Sequence, residues 1–309
     1  MQLDGILLVD KGPDQTSYAV VARVKSTLRA MGVCKAGHAG TLDPFATGLL
    51  VLLLGQGTKL SPFLMGGKKL YRGTLRLGIE TDTLDPDGAV TNRRVVNEFS
   101  REEIEAAAER QVGCRQQVPP IYSAVRCNGT RSYRLARKGL QPELRARQIE
   151  VEDFDILSVQ LPFVDFEVSC SAGTYVRRLA ADLGDELGAG AHLTSLRRLR
   201  SGGLDVRNAL PCVEIATLRD EASIRSRLIS LNASIPEIPG IEIDRHLADK
   251  VRKGYQPVRG DLGLEQGFSA VFPDGFAKLV QRDALVAILE IKGNQGVGYE
   301  RLSIARVFS

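Results

Sequence analysis

The chain has 309 residues, more than the roughly 250–300 at which one hydrophobic core stops growing, so two domains of unequal size are expected. With 43% hydrophobic and 25% charged residues it is not a disordered chain, and its strongest apolar run, Leu49 to Leu54, falls far short of the about 20 residues of a membrane span. Lys and Arg number 41 against 37 Asp and Glu, a net +4, and the positive charges cluster at Arg197-Arg198-Leu199-Arg200 and from Arg131 through Arg147, a distribution that suits a polyanion partner.

In chain order, Gly5 to Val9 reads as a strand and Tyr18 to Met31 as a helix capped by Thr16-Ser17. Leu49 to Leu54 reads as a buried strand, Lys69 to Gly78 as an alternating strand, and Arg101 to Val112 as a helix capped by Ser100. From Pro119 to Arg147 the pattern loosens into an arginine-rich, glycine-punctuated stretch, too long for a structureless connection and so a candidate lid or binding loop. Glu150 to Val159 and Phe163 to Ser171 read as adjacent strands, followed by a helix from Tyr175 to Leu187 that ends near Gly188. This interleaving predicts an α+β sheet domain over residues 1–235. The proline-bearing stretch Ser234 to Gly240 reads as a linker. Beyond it, over 240–309, Phe276 to Val280, Leu285 to Ile291 and Leu302 to Phe308 suggest a small β-barrel of about 70 residues.

After Met1 no basic start, apolar stretch and small-residue cleavage site follow one another, so the protein is expected in the cytoplasm. Cys34, Cys114, Cys127, Cys170 and Cys212 are odd in number, scattered and free of any C-x-x-C pair, which points away from a disulfide framework or a zinc site; no metal is expected.

The segment Lys35-Ala36-Gly37-His38-Ala39-Gly40-Thr41-Leu42-Asp43-Pro44 sets a histidine and a carboxylate among small residues just ahead of the buried run. Glycines there let the backbone present polar side chains beside a sheet edge, which makes Asp43 a candidate nucleophile. Asp-Pro is equally good turn or N-cap chemistry. Thr83-Leu84-Asp85-Pro86 repeats the same four letters and runs into Asp87-Gly88, an ordinary turn signal between strands, so local letters alone do not choose between the two aspartates. The Gly-His-x-Gly context favours Asp43.

Gly37 to Gly48 as a whole resembles the signature of the TruB family of tRNA pseudouridine synthases. Further blocks similar to that family follow in order: Leu70-Tyr71-Arg72-Gly73, Thr81 to Asp85, Pro119-Pro120-Ile121-Tyr122-Ser123-Ala124, Gly173-Thr174-Tyr175-Val176-Arg177, and Gly190-Ala191-His192-Leu193 through Leu199. They span about the first 200 residues. Asp10 to Ser17 departs from the family's opening motif, with Gly12 and Asp14 where Pro and Gly are usual. Arg126 stands where lysine is common.

The resemblance implies a mixed, largely antiparallel central sheet with flanking helices, a thumb loop at about 119–147, and a PUA-like RNA-binding barrel over 240–309. It implies isomerisation of T-loop uridine 55 of tRNA, with no cofactor, no metal, no guide RNA and no obligate protein partner, by a chain expected to be a monomer. Asp43 is then the nucleophile, Arg177 its cationic partner, whose guanidinium lowers an aspartate pKa, and Tyr71 the ring that stacks on the extruded base and helps move its proton. His38 is expected to meet the splayed nucleotides, Asp85 to accept from them, and Tyr175 and Leu196 to line the pocket. His192 is expected to be structural, and His246 lies outside the catalytic blocks. The thumb arginines would contact phosphates on the T-arm and the C-terminal module would grip the acceptor arm, so its removal is expected to weaken binding more than chemistry. A non-catalytic RNA binder, a guide-dependent synthase and a metabolic hydrolase are the competing readings.

Overall fold

The unbroken apolar run from Leu49 to Leu54 is explained by its position: the two faces of its strand belong to two different cores. Leu50, Leu52 and Leu54 join the core that holds the helices, whereas Leu49, Val51 and Leu53 join one that takes in Ile235, Ile238, Leu285, Ile288 and Phe308. Strands buried on both sides lose the usual alternation. The computed structural model describes residues 3–218, 220–263, 275–292 and 301–309. Among them the main sheet is 11-stranded, its path running through Leu210–Pro211, Gly5–Lys11, Thr47–Leu54, Ala191–Ser201, Lys69–Leu77, Phe163–Cys170, Arg147–Gln160 and Gly113–Gln117. Gly5–Lys11 runs parallel to Leu210–Pro211, and Thr47–Leu54 to Ala191–Ser201; the other pairings are antiparallel, so the sheet is mixed and largely antiparallel, as expected.

Helices Ser17–Thr27, Arg101–Glu109 and Val176–Glu186 cover one face of this sheet through Val20, Val24, Ile104, Ala107, Leu179 and Leu183. Two of them end earlier than their periodicity predicts. The first breaks at buried Leu28, after which a 3-10 turn, Arg29–Met31, closes on Gly32 in the left-handed region at φ 86°. The second, held at its start by a capping box between Ser100 and Glu103, tightens after Glu109 as Gln111 and Val112 donate to Ala108 and Glu109.

The stretch from Pro119 to Arg147 is better ordered than its composition suggests. Arg126–Cys127 and Thr130–Arg131 form a hairpin around Asn128-Gly129, both at positive φ, and helix Ser132–Ala136 follows directly. Asn-Gly is the strongest short-range hairpin signal, and the run of arginines had masked it.

The C-terminal segment contains a four-stranded sheet, Gly240–Glu242, Phe276–Gln281, Ala284–Lys292 and Arg301–Val307, with helix Arg245–Arg252 against it. The first strand and the helix went unread in the sequence; among the described residues the strands follow an open path, so a closed barrel does not emerge. The preceding stretch does not hang free. Ser234, Ile235 and Ile238 are buried, and Lys278 Nζ donates to the carbonyls of Asn232 and Ile235, both at 3.1 Å. Because Phe308, Leu285 and Ile288 cover Leu49, Val51 and Leu53, deleting 240–309 is expected to lower the melting temperature of what remains as well as to weaken binding. No helix among the described residues is long and apolar enough to cross a membrane.

Candidate active site

Strand Ala36–His38 pairs with the end of Thr47–Leu54, so residues 39–46 must return as a tight loop whose tip carries Asp43. Three buried side chains hold that loop. The Ser17 hydroxyl accepts from Leu42 N at 2.8 Å and donates to Leu42 O at 3.0 Å. Lys11, fully buried, donates to the carbonyls of Gly12, Gln15 and Pro44 at 2.8–2.9 Å. Burial lowers its ammonium to about 8, with Asp43 first among the charges that oppose the shift, so it is still a cation at neutral pH. Arg198 donates to Leu49 O at 2.7 Å and to Gly40 O at 3.2 Å.

At the base of the loop, Gly48 takes φ 97°, and a Cβ there would stand 2.3 Å from the carbonyl oxygen of Arg198. Gly48→Ala is therefore expected to cost about 3 kcal/mol, from positive-φ strain and backbone overlap together, read as a lower denaturant midpoint.

Arg177, in the first turn of helix Val176–Glu186 and 4% exposed, is shared by the two candidate aspartates. Its Nε lies 2.9 Å from Asp43 Oδ2, and Nη2 donates to Asp43 Oδ1 at 3.3 Å. Its Nη1 donates to Asp85 Oδ2 and to Thr83 O, each at 2.8 Å, while Nη2 also reaches Tyr122 O at 3.0 Å. Two copies of Thr-Leu-Asp-Pro thus converge on one guanidinium. They differ in access: the Asp43 side chain is 33% exposed and that of Asp85 7%. The other Asp85 oxygen accepts from Thr83 and from Asp87 N, an arrangement that suits holding Arg177 better than meeting a nucleotide.

Burial raises the Asp43 carboxyl above its ordinary value; Arg177 opposes this, Asp85 adds to it, and Lys11 opposes it. The lowering expected from Arg177 does not prevail, because burial is the larger influence and Asp85 adds to it.

Tyr71 lies in Lys69–Leu77 opposite Arg198 on one side and Val168 on the other. Burial pushes its phenol up, with Arg198 opposing and Asp43 adding to the rise, so it stays protonated at neutral pH. His38 is half-buried, and its Nδ1 is buried without a hydrogen-bond partner among the described residues. Burial, then Arg198, then Arg131 of the 126–131 hairpin lower its pKa, which leaves a neutral imidazole.

Leu196 lines a cleft of about 790 Å³ with Phe45, Thr47, Asp87, Arg72 and Arg197. Asp14, at φ 59°, also lines it, and takes without glycine the left-handed conformation that glycine adopts freely. Tyr175 is half-buried, and its backbone is pinned by the Gln117 side chain at 2.8 and 3.2 Å; its ring is not among the residues lining that cleft. His192 is buried with Nδ1 2.8 Å from Ile79 O, in keeping with a structural role. His246 sits on the C-terminal helix Arg245–Arg252.

Residues 28–176 match the model of the TruB family pseudouridylate synthase N-terminal domain, and 177–234 that of the tRNA pseudouridylate synthase B C-terminal domain. The chain belongs to the TruB family. It is accordingly an isomerase, as pseudouridine synthases are. A protein of Geobacter sulfurreducens named tRNA pseudouridine synthase B is 38% identical over 99% of this chain and 100% of its own length; its namesake in Syntrophus aciditrophicus is 44% identical over 82% of this chain and 80% of its own. The solved structure of a Cbf5-Nop10-Gar1 complex contains a chain of the same fold, at TM-score 0.74 and 23% identity, covering 99% of this chain and 85% of that one.

The structure adds a role at the site for Lys11, and for Ser17 and Arg198 roles other than those the sequence suggested, a helix cap and a basic cluster for a polyanion: Ser17 holds Leu42 and Arg198 is buried. Lys11 and Ser17 fall inside the opening motif, and the signal that could have found them is the pairing of polar residues with positions the strand and helix patterns place inside.

Proposed function

We propose that this chain converts uridine 55 in the T-loop of tRNA to pseudouridine without a guide RNA, with Asp43 as the nucleophile. The observation that carries this reading is the Asp43 carboxylate, partly exposed, gripped by a buried Arg177 and felt by Tyr71. Relatives named tRNA pseudouridine synthase B, aligned over up to 99% of the chain, support tRNA as the substrate.

In the reaction the bond from C1′ of ribose to N1 of uracil breaks and one from C1′ to C5 forms. The proton on C5 is lost and N1 gains one, so atoms balance without a redox partner. Asp43 attacks the ring or the ribose to form a covalent or glycal-type species within which the base turns. Arg177 keeps the carboxylate ionised and aimed, and Asp85 holds Arg177. Tyr71 stacks on the everted base, and its protonated phenol is in place to pass the proton. His38, neutral, meets the splayed nucleotides beside Tyr175, with Leu196 in the wall of the cleft.

Extruding a base costs a few kcal/mol, offset by contacts made in the extruded state. The thumb arginines Arg131, Arg134 and Arg137 supply phosphate contacts, and a PUA-like module at 240–309 holds the acceptor arm. Residues 1–235 form the catalytic unit, acting as a monomer in the cytoplasm. The test is pseudouridine mapping by carbodiimide stops on unmodified tRNA with purified protein alone. A stop at the T-loop position supports the reading. RNA bound without any stop would favour a binder, and a stop appearing only after a guide RNA is added would favour a guided synthase.

A further inference from the structure

We propose that Arg198 is a positioning residue for the isomerisation: from a strand position paired with Tyr71 its guanidinium holds the backbone on either side of the Asp43 loop, at Gly40 and Leu49, so carboxylate and phenol keep one spacing. This rests on the roles proposed for Asp43 and Tyr71.

Arg198 heads the fully buried side chains, at 1% exposure. Its guanidinium donates to two carbonyls, Leu49 O and Gly40 O, and also acts on the phenol of Tyr71 through a side-chain hydrogen bond, while among the described residues no carboxylate forms an ion pair with it. Burying a guanidinium without a counter-anion is costly, and an apolar side chain would fill the same strand position with less desolvation. A use other than filling space is therefore indicated.

The strand register shows what that use is. In Ala191–Ser201, Arg198 stands opposite Tyr71 on one neighbour and opposite Gly48 on the other. The register of the antiparallel pair shifts between Arg198 and Arg200, a bulge of the kind that re-aims a side chain. Arg197, one residue earlier, points the other way and pairs with Asp10 at 2.6 and 2.9 Å. The guanidinium of Arg198 thus reaches Gly40 O, three residues before the nucleophile, from the position that faces the phenol. The same cation opposes the upward shift of the phenol of Tyr71 and lowers His38 and Lys69, so it is the electrostatic neighbour of the site as well as its brace.

A lysine at 198 keeps the charge but carries no planar fork to meet both carbonyls while facing the ring. The experiment compares full-length Arg198→Lys and Arg198→Gln with the unaltered chain in single-turnover pseudouridine formation on an unmodified tRNA transcript. It is combined with tRNA affinity, melting temperature and a double-mutant cycle against Tyr71→Phe, with Asp43→Asn as the control.

Arg198→Lys is expected to fold and to bind tRNA within about threefold, with a rate lower by roughly 30- to 100-fold. Its loss should overlap that of Tyr71→Phe, so that the double variant loses clearly less than the product of the two. A merely structural arginine would weaken folding or binding and leave the two losses independent. A rate within about threefold in folded Arg198→Lys, or losses that multiply, overturns the inference; should Arg198→Gln fail to fold, the lysine variant alone decides. A normal rate in Asp43→Asn would instead overturn the nucleophile assignment on which this inference stands.

Discussion

Asp43→Asn is expected to reduce isomerisation by about 10⁴-fold or more while leaving tRNA affinity and the fold intact. The substitution keeps size and geometry but removes the charge that attacks, and no other carboxylate can substitute for it. Asp85 shares the same arginine but is only 5% exposed, with both oxygens engaged. Asp85→Asn is expected to lower the rate as well, since it releases one side of Arg177, so the discriminating result is residual turnover there and none in Asp43→Asn.

Stability should move the opposite way to activity. The Asp43 carboxyl is raised by burial in the folded chain, so the fold retains a proton that the unfolded chain releases near the ordinary aspartate value. The associated stability is present in acid and is lost as pH rises from that ordinary value through the folded-state one. At neutral pH the native protein carries this cost in full and the asparagine variant does not. The melting temperature of Asp43→Asn at pH 7 is therefore expected to equal or exceed that of the unaltered chain, with the advantage vanishing as pH falls toward 4. A clear fall at pH 7 would show that the carboxylate is a structural ion-pair partner first.

How much of this was legible in the sequence depended on whether the relevant contact was local. Helix starts at Thr16 and Ser100 were readable because a cap acts within three residues. The helix ends were not, since they hinge on Leu28 entering the core and on a last turn that tightens. Asp43 could be singled out because its Gly-His-x-Gly surroundings are letters in a row. Local letters could not separate Asp85 from Asp43; the resemblance put Asp85 at the same site as a nucleotide acceptor, whereas its bond to Arg177, 92 residues further along the chain, is not legible in the sequence.

The site roles of Ser17 and Arg198 were missed for the same reason. Ser17 supports Leu42 across 25 residues, and Arg198 supports Gly40 across 158. A buried polar residue declares itself only once its acceptor is known to be nearby. The alternation within Leu49 to Leu54 was hidden by the opposite effect: both faces are apolar because the C-terminal module supplies the second core.

Arg177→Met is expected to be the most damaging single substitution in both stability and rate. Arg177 is buried and binds two carboxylates and two carbonyls, and removing one member of a buried charge cluster typically costs about 3–5 kcal/mol because the others are left unpaired. Here two carboxylates would face each other with Lys11 as the remaining cation acting on Asp43, which favours uptake of a proton to relieve the repulsion. Arg177 is the leading influence that lowers Asp43 against burial, so its loss drives that carboxyl further up. The acidic limb of the rate profile, already expected above the ordinary aspartate value, should then move to still higher pH, leaving residual activity only on the alkaline side. Adding Asp85→Asn to Arg177→Met removes the repulsion without restoring the aim of Asp43. The double variant should regain much of the lost denaturant midpoint and none of the rate. Recovery of both would mean that the arginine serves only to neutralise Asp85; recovery of neither would mean that its bonds to Thr83 and Tyr122 dominate its contribution to the fold.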